Sequence, residues 1–284
     1  MLEVLGVDVP EALVKAWASW LAPDPQPFLV GPDAAWPGCE DEGGTLTREL
    51  HDTYRLWWGV ERGSALLWIS EAQLSSLPKA TRAALVREQA IRRRGAVPTV
   101  RAWRDLLDAR LLREQADGHR FVWWPSLLAE HTEEILRRVV STGRLRSRHR
   151  EIPDEVWRGC EDVLPGAQRL AGTFPARSDA NCFTTVMSAA GDSSTSALDD
   201  VEPFDAWLRT ACEPGGKRDQ PGVVMVWRNR DGAPVHAAVS LGGGWGLEKA
   251  SSDWHAPRAA VPVADIVRMS RHPGERLERH TIRR

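Results

Sequence analysis

Cys182, His236 and Glu248 lie far apart along the chain, yet their side chains can do covalent chemistry together. Cys182 follows Arg177-Ser178-Asp179-Ala180-Asn181, a polar run rich in helix-capping residue types, and Phe183-Thr184-Thr185-Val186-Met187 reads as the helix it opens. At a helix start, unpaired backbone N–H groups and the helix dipole favour a thiolate, and the same amides can hold an oxyanion. A lone cysteine is more often a small buried apolar residue, so Cys182 needs partners. His236 sits in Pro234-Val235-His236-Ala237-Ala238-Val239, a strand pattern in which apolar 235, 237 and 239 alternate with His236, Ala238 and Ser240. The small residues beside His236 leave room for another side chain, although an isolated strand histidine is usually structural.

The acceptor depends on turn geometry. A three-residue turn at Gly242-Gly243-Gly244 pairs Leu241 with Trp245, sets His236 opposite Ala250 and makes Glu248 its diagonal neighbour on the same face. A two-residue turn points Lys249 there instead, and a charged lysine cannot accept a hydrogen bond from imidazole. The first register is therefore expected, with Glu248 orienting the ring and Asp253 and Asp265 in reserve.

In order and setting these segments resemble the NlpC/P60 superfamily of papain-like cysteine peptidases and amidases. The resemblance is carried by Ala171-Gly172-Thr173-Phe174-Pro175, Asn181-Cys182-Phe183 and Pro221-Gly222-Val223-Val224-Met225-Val226-Trp227. It is clearest at His236-Ala237-Ala238-Val239-Ser240-Leu241-Gly242-Gly243-Gly244, followed by Leu247-Glu248-Lys249-Ala250-Ser251. It covers about residues 165–284. By position it implies Cys182 as nucleophile, His236 as base and Glu248 as orienter. Asn181-Cys182-Phe183-Thr184 stands where the family usually has Asp-Cys-Ser-Gly, Glu248 where a histidine is common, and Phe174 where an upstream tyrosine is found. The implied activity is hydrolysis of an amide, peptide or isopeptide bond through a thioester. Acyl transfer from the same intermediate, or a binding module with a degenerate triad, are the alternatives. The family's usual substrate is the peptidoglycan stem peptide. Here an intracellular peptide, a modified protein or a small amide is an equal expectation.

The elements that must position these residues change character along the chain. Residues 1–150 read as a mainly helical region of unassigned role. Helices are predicted at Glu11–Leu21, Thr45–Trp58, Lys79–Arg94, Val100–Gln115 and Leu127–Val140, with short strands at Ser64–Ser70 and Phe121–Trp124. The polar run Ser141–Arg150 reads as a linker, which sets the expected boundary near 150. Residues 151–284 read as α+β. Short helices fall at 153–171, 181–190 and 203–212, then an antiparallel meander at 222–227, 235–241 and 245–250, a helical turn at 264–269 and a last strand at 276–282. The resemblance implies that this part is a papain-like domain.

Composition narrows the classes. The 284 residues carry a formal net charge of −2, so a strongly basic nucleic-acid binder is not the default. Arg92-Arg93-Arg94 and the arginines of 144–150 read as a solvated helix end and the linker, because acidic residues are nearly as numerous nearby and no aromatics interleave with the second run. No apolar run nears the ~18 residues of a membrane helix, and the N-terminus lacks a signal-peptide pattern, so the simplest expectation is a cytoplasmic protein. The four cysteines show no C-x-x-C pair, and His255, His272 and His280 have no partner at ligand spacing. No metal or cofactor is therefore expected. Gly242-Gly243-Gly244-Trp245-Gly246 lacks dinucleotide-binding spacing. The 14 tryptophans read as core or cleft filling, and the N-terminal region leaves room for a protein partner beside the peptide or small-amide substrate.

Overall fold

The computed structural model describes residues 1–32, 34–56, 63–178, 180–192 and 201–283. The chain begins with two strands that the sequence did not suggest, β1 (Leu2–Val4) and β2 (Val7–Val9), paired antiparallel. Leu5 and Gly6 both take positive φ between them, as a tight two-residue hairpin turn requires. Then follow α1 (Glu11–Leu21), β3 (Gln26–Val30), α2 (Arg48–Tyr54), β4 (Ala65–Ile69), α3 (Glu71–Ser76), α4 (Lys79–Ile91), α5 (Val100–Trp103), α6 (Ala109–Gln115), α7 (Pro125–Leu128) and α8 (Thr132–Ser141). Thr47 caps α2, accepting from Leu50 N, and the part of the expected 45–58 helix at 57–58 lies outside the described residues.

Three expectations in this region are corrected. The single helix expected at Leu127–Val140 is two, α7 and α8, separated by residues 129–131. Val100–Gln115 is two short helices, because Asp108 turns its side chain onto Arg110 N and starts a new helix. Phe121–Trp124 is extended but joins no sheet. Its four side chains are buried, so the apolar run records burial rather than strand pairing.

Contacts divide the chain into two compact units, Glu11–Leu136 and Met1–Pro10 with Arg137–Arg284. The expected boundary at 150 falls inside the second of these. The 141–150 run is anchored rather than a free linker. Ser147 N donates to Leu5 O (2.8 Å), and Ala260 N donates to Ser147 Oγ (3.1 Å). Arg150 meets Asp8 at 2.6 Å, Arg146 meets Glu3 at 3.4 Å, and Arg148 lies 5.3 Å over the Trp245 ring. Acids distant in sequence thus answer the basic run.

After a 3-10 turn at His149–Glu151, the second unit adds α9 (Asp154–Cys160), α10 (Ala167–Leu170), α11 (Cys182–Ala189) and α12 (Val201–Ala211). Next come β5 (Cys212–Pro214), β6 (Val223–Arg228), β7 (Pro234–Gly242), β8 (Trp245–Lys249), β9 (Arg258–Pro262), α13 (Val263–Met269) and β10 (Arg276–Ile282). The sheet order is β5-β10-β6-β7-β8-β9, antiparallel throughout, and the architecture is α+β. Strand alternation separates two cores. Val224, Val226, Ala237, Val239 and Leu247 pack with Trp157, Cys182, Val186 and Phe204 of the helices on one face. Met225, Trp227, Ala238 and Ala259 pack with Val263 and Ile266 of α13 on the other. Each valine, leucine, isoleucine, methionine or phenylalanine among them, taken from water, contributes ~1.5–3 kcal/mol, which locks the register that places the site.

The β7–β8 turn reaches the expected register by another route. Gly242 pairs with Trp245, and a bulge between Ser240 and Gly242 restores the parity, so Ala238 lies opposite Glu248. Gly242, Gly243 and Gly244 all have positive φ, and a Cβ at Gly242 would lie 2.8 Å from Pro221 Cγ. Only glycine fits there.

Candidate active site

α11 begins at Cys182 because Asn181 caps it. Asn181 Oδ1 accepts from Thr184 N at 2.8 Å, and Thr184 Oγ1 accepts from Asn181 N at 2.9 Å, a reciprocal capping box. Thr185 Oγ1 donates to Asn181 O at 2.7 Å and tightens the same turn. The helix packs on β7 and β8, and Cys182 is buried, 8% exposed, at its first turn.

His236 stands opposite Trp227 of β6, with ring centroids 5.1 Å apart. Its Nε2 lies 3.3 Å from Glu248 Oε2, and that carboxylate is almost wholly buried. The Cys182 thiol is also a hydrogen-bonding and charge partner of the His236 ring. Burial alone would pull the imidazolium down. The hydrogen bonds and charges of Cys182 and Glu248 together outweigh it and push His236 up to about 10. The structure thus brings the three expected residues together. The reserve carboxylates are engaged elsewhere: Asp253 with Arg144 (3.4 Å) and Ser251 Oγ (3.1 Å), Asp265 with Arg268 (3.0 Å).

The other cysteines stand apart from this arrangement. All four are free thiols. Burial pushes Cys160 up to about 11 and Cys212 up to about 12, which suits inert core residues.

A cleft of about 330 Å³ opens on His236 and Glu248, with Arg144, Ala250, Ser270 and His272 also on its wall. It lies on the α13 side of the sheet, and Cys182 is not among its lining residues. Arg144, from the expected linker, reaches this wall only because that segment is anchored.

Lys249, which a two-residue turn would have set beside His236, lies on the other face of β8. It is fully buried, and its Nζ donates to Ser251 O (2.5 Å) and Asp253 O (2.8 Å). Burial brings it down to about 7, opposed by Asp253 and Cys182 and reinforced by Arg258 and Arg144. Its signal was present: alternation places Lys249 with Leu247 on the helix-covered face, where a lysine is out of place.

Among the described residues no group of three or more His, Cys, Asp or Glu side chains converges as a metal site, and no helix is long and apolar enough to cross a membrane. Among the described residues the tryptophans are largely interior, with Trp17, Trp123, Trp124 and Trp254 fully buried. Comparison of the chain with protein-family models, with curated proteins and with solved structures finds no match.

Proposed function

We propose that the protein is a cysteine-dependent hydrolase of amide, peptide or isopeptide bonds, with a papain-like, NlpC/P60-like catalytic unit. One observation carries this reading: a cysteine at a capped helix start shares a histidine with a buried carboxylate. Glu248 takes Nε2 and so fixes the ring orientation, leaving Nδ1 as the ring nitrogen available to the sulfur.

In this mechanism the His236 ring holds the Cys182 proton and the sulfur is a thiolate. Sulfur attacks the substrate carbonyl carbon, and the C=O electron pair moves onto oxygen. Asn181 already caps the amide of Thr184, and its carbonyl accepts from Thr185 N. The amides of Cys182 and Phe183 are thus left to receive the oxyanion. Collapse of the intermediate breaks the C–N bond, and His236 gives its proton to the departing amine. Water then loses a proton to His236 and attacks the thioester, releasing the carboxylic acid and regenerating the thiolate. The polar cleft beside His236 gives water access to the ring.

The test uses p-nitrophenyl acetate as a generic acyl donor. A burst of p-nitrophenolate with acetyl on Cys182 by peptide mass spectrometry is expected, lost in Cys182→Ala and reduced about 100-fold or more in His236→Gln. An undiminished burst in Cys182→Ala, or acetyl spread equally over Cys160 and Cys212, overturns the assignment.

A further inference from the structure

Lys249 has no part in the mechanism above, yet it is a fully buried ammonium one residue from Glu248. Its hydrogen-bond partners do not neutralise it. Both of its hydrogen bonds go to carbonyls, those of Ser251 and Asp253. The Asp253 carboxylate is turned to Arg144 and Ser251 instead. Burying a cation on backbone carbonyls alone is costly, and such an arrangement persists where the charge has a use.

Strand alternation says where that charge acts. Glu248 lies opposite Ala238, which packs on the α13 face. Lys249 therefore projects to the other face with Leu247, which shares a core with Cys182. Four charged or titratable groups act on Lys249: Asp253 in the turn after β8, Arg258 on β9, Arg144 in the anchored run, and Cys182 on α11. Asp253 is the larger of the two anions acting on the ammonium but is shared with Arg144 and Ser251, and the two arginines repel it; the thiolate of Cys182 is the other anion it can favour.

We propose that Lys249 is a positioning residue for Cys182, whose ammonium, held by the carbonyls of Ser251 and Asp253, stabilises negative charge on the sulfur from the helix-covered side of the sheet. His236 and Glu248 act from the other. The proposal rests on Cys182 being the nucleophile, and it deepens that reading with a pH signature. Lys249 loses its charge near pH 7, so its help to the sulfur is present below that pH and fades above it.

The experiment follows iodoacetamide alkylation of each cysteine against pH by peptide mass spectrometry, with Cys160 and Cys212 as internal standards. In Lys249→Met the Cys182 rate at about pH 6 is expected to fall about tenfold and to rejoin wild type above about pH 8, and Lys249→Arg is expected to restore most of the loss. A purely structural lysine lowers the rate at every pH, without rescue by arginine, and that result overturns the proposal. So does a Lys249→Met profile equal to wild type.

A second measurement needs no variant. Nζ-15N-labelled lysine gives one signal for each of Lys15, Lys79, Lys217 and Lys249. Carbamidomethylating Cys182 removes the thiolate charge, so by reciprocity Lys249 is expected to titrate at lower pH afterwards. An unmoved Lys249 titration overturns the proposal even if Lys249→Met does not fold. Failure of the nucleophile reading looks different: wild-type Cys182 then alkylates no faster than Cys160 at any pH.

Discussion

The molecule buries a cation in each of its two units, and the two sites are built to opposite ends. In the Glu11–Leu136 unit, Arg94 is 4% exposed. Its Nε donates to Pro27 O at 2.9 Å, one Nη donates to Gln26 Oε1 at 2.5 Å, and the guanidinium lies 3.8 Å from the Tyr54 ring centroid. Gln26 in turn donates to Trp123 O at 2.7 Å, so the cation ties β3 to the buried 121–124 segment. Burial pulls Arg94 down to about 10, with Tyr54 opposing. Its described partners are a carbonyl, an amide oxygen and two aromatic rings. In the other unit, His236 and Lys249 flank a thiol, and a cleft reaches the His236 ring. Burial of charge does not distinguish the sites, since both have it. A nucleophile and an open approach do.

Arg94 is the place to break that contrast most forcefully. Arg94→Ala removes the ring contact, empties volume beside Phe28 and Tyr54, and leaves Gln26 Oε1 and Pro27 O without their donor. A loss of about 3 kcal/mol is expected from the cavity and the unpaired acceptors, read as a lower urea midpoint. Cys182 alkylation below the unfolding transition should be unchanged. A variant of wild-type stability would show that this cation contributes nothing to the fold.

The pH dependence of stability sharpens the contrast from the other side. His236 titrates at about 10 when folded against 6.5 for the free side chain, so its contribution is whole below pH 6.5 and is lost as pH rises through 10. Lys249 runs the other way, from 10.5 when free to about 7 when folded, so stability gains as pH rises across that window. Between about pH 7 and 10 the two nearly cancel, and wild type should be almost flat. Lys249→Met should lose stability with rising pH and His236→Gln should gain it, each by up to about 1.4 kcal/mol per pH unit. Urea midpoints across that range measure both slopes. If the slopes of both variants match wild type, these groups are structural charges of the Arg94 kind.

What the sequence revealed of this site was local, and what it hid was not. The α11 start was readable because Asn181 and Thr184 cap it within one turn. The β7–β8 pairing was readable because apolar alternation and three glycines leave one register with Leu247 and Val239 on the same core. The bulge that achieves this register was not, since a turn and a bulge together look like a longer turn. β9 was missed because Arg258–Pro262 gains its strand character only by pairing with β8. The anchoring of 141–150 depends on Leu5 and Asp8, more than 130 residues away, and no periodicity encodes that. The expected register already turned Lys249 away from His236, but its burial depends on the helices packed over that face, which are distant in the chain.

The finest distinction within the site is whether Glu248 acts on His236 by its shape or by its charge. Glu248→Gln keeps the side-chain length and an oxygen that can accept from Nε2, but it removes the negative charge behind the imidazolium. If charge matters, Cys182 alkylation below about pH 7 should fall about tenfold, and the His236 titration should move down from its raised position. If only orientation matters, Glu248→Gln should leave both near wild type, while Glu248→Leu, which cannot accept a hydrogen bond, should lose reactivity. The 3.3 Å separation is long for a fully developed ion pair, and the carboxylate is nearly sealed from water, where even a long contact is poorly screened. Burial therefore weighs more than distance here, and the tenfold loss in Glu248→Gln is the expected result.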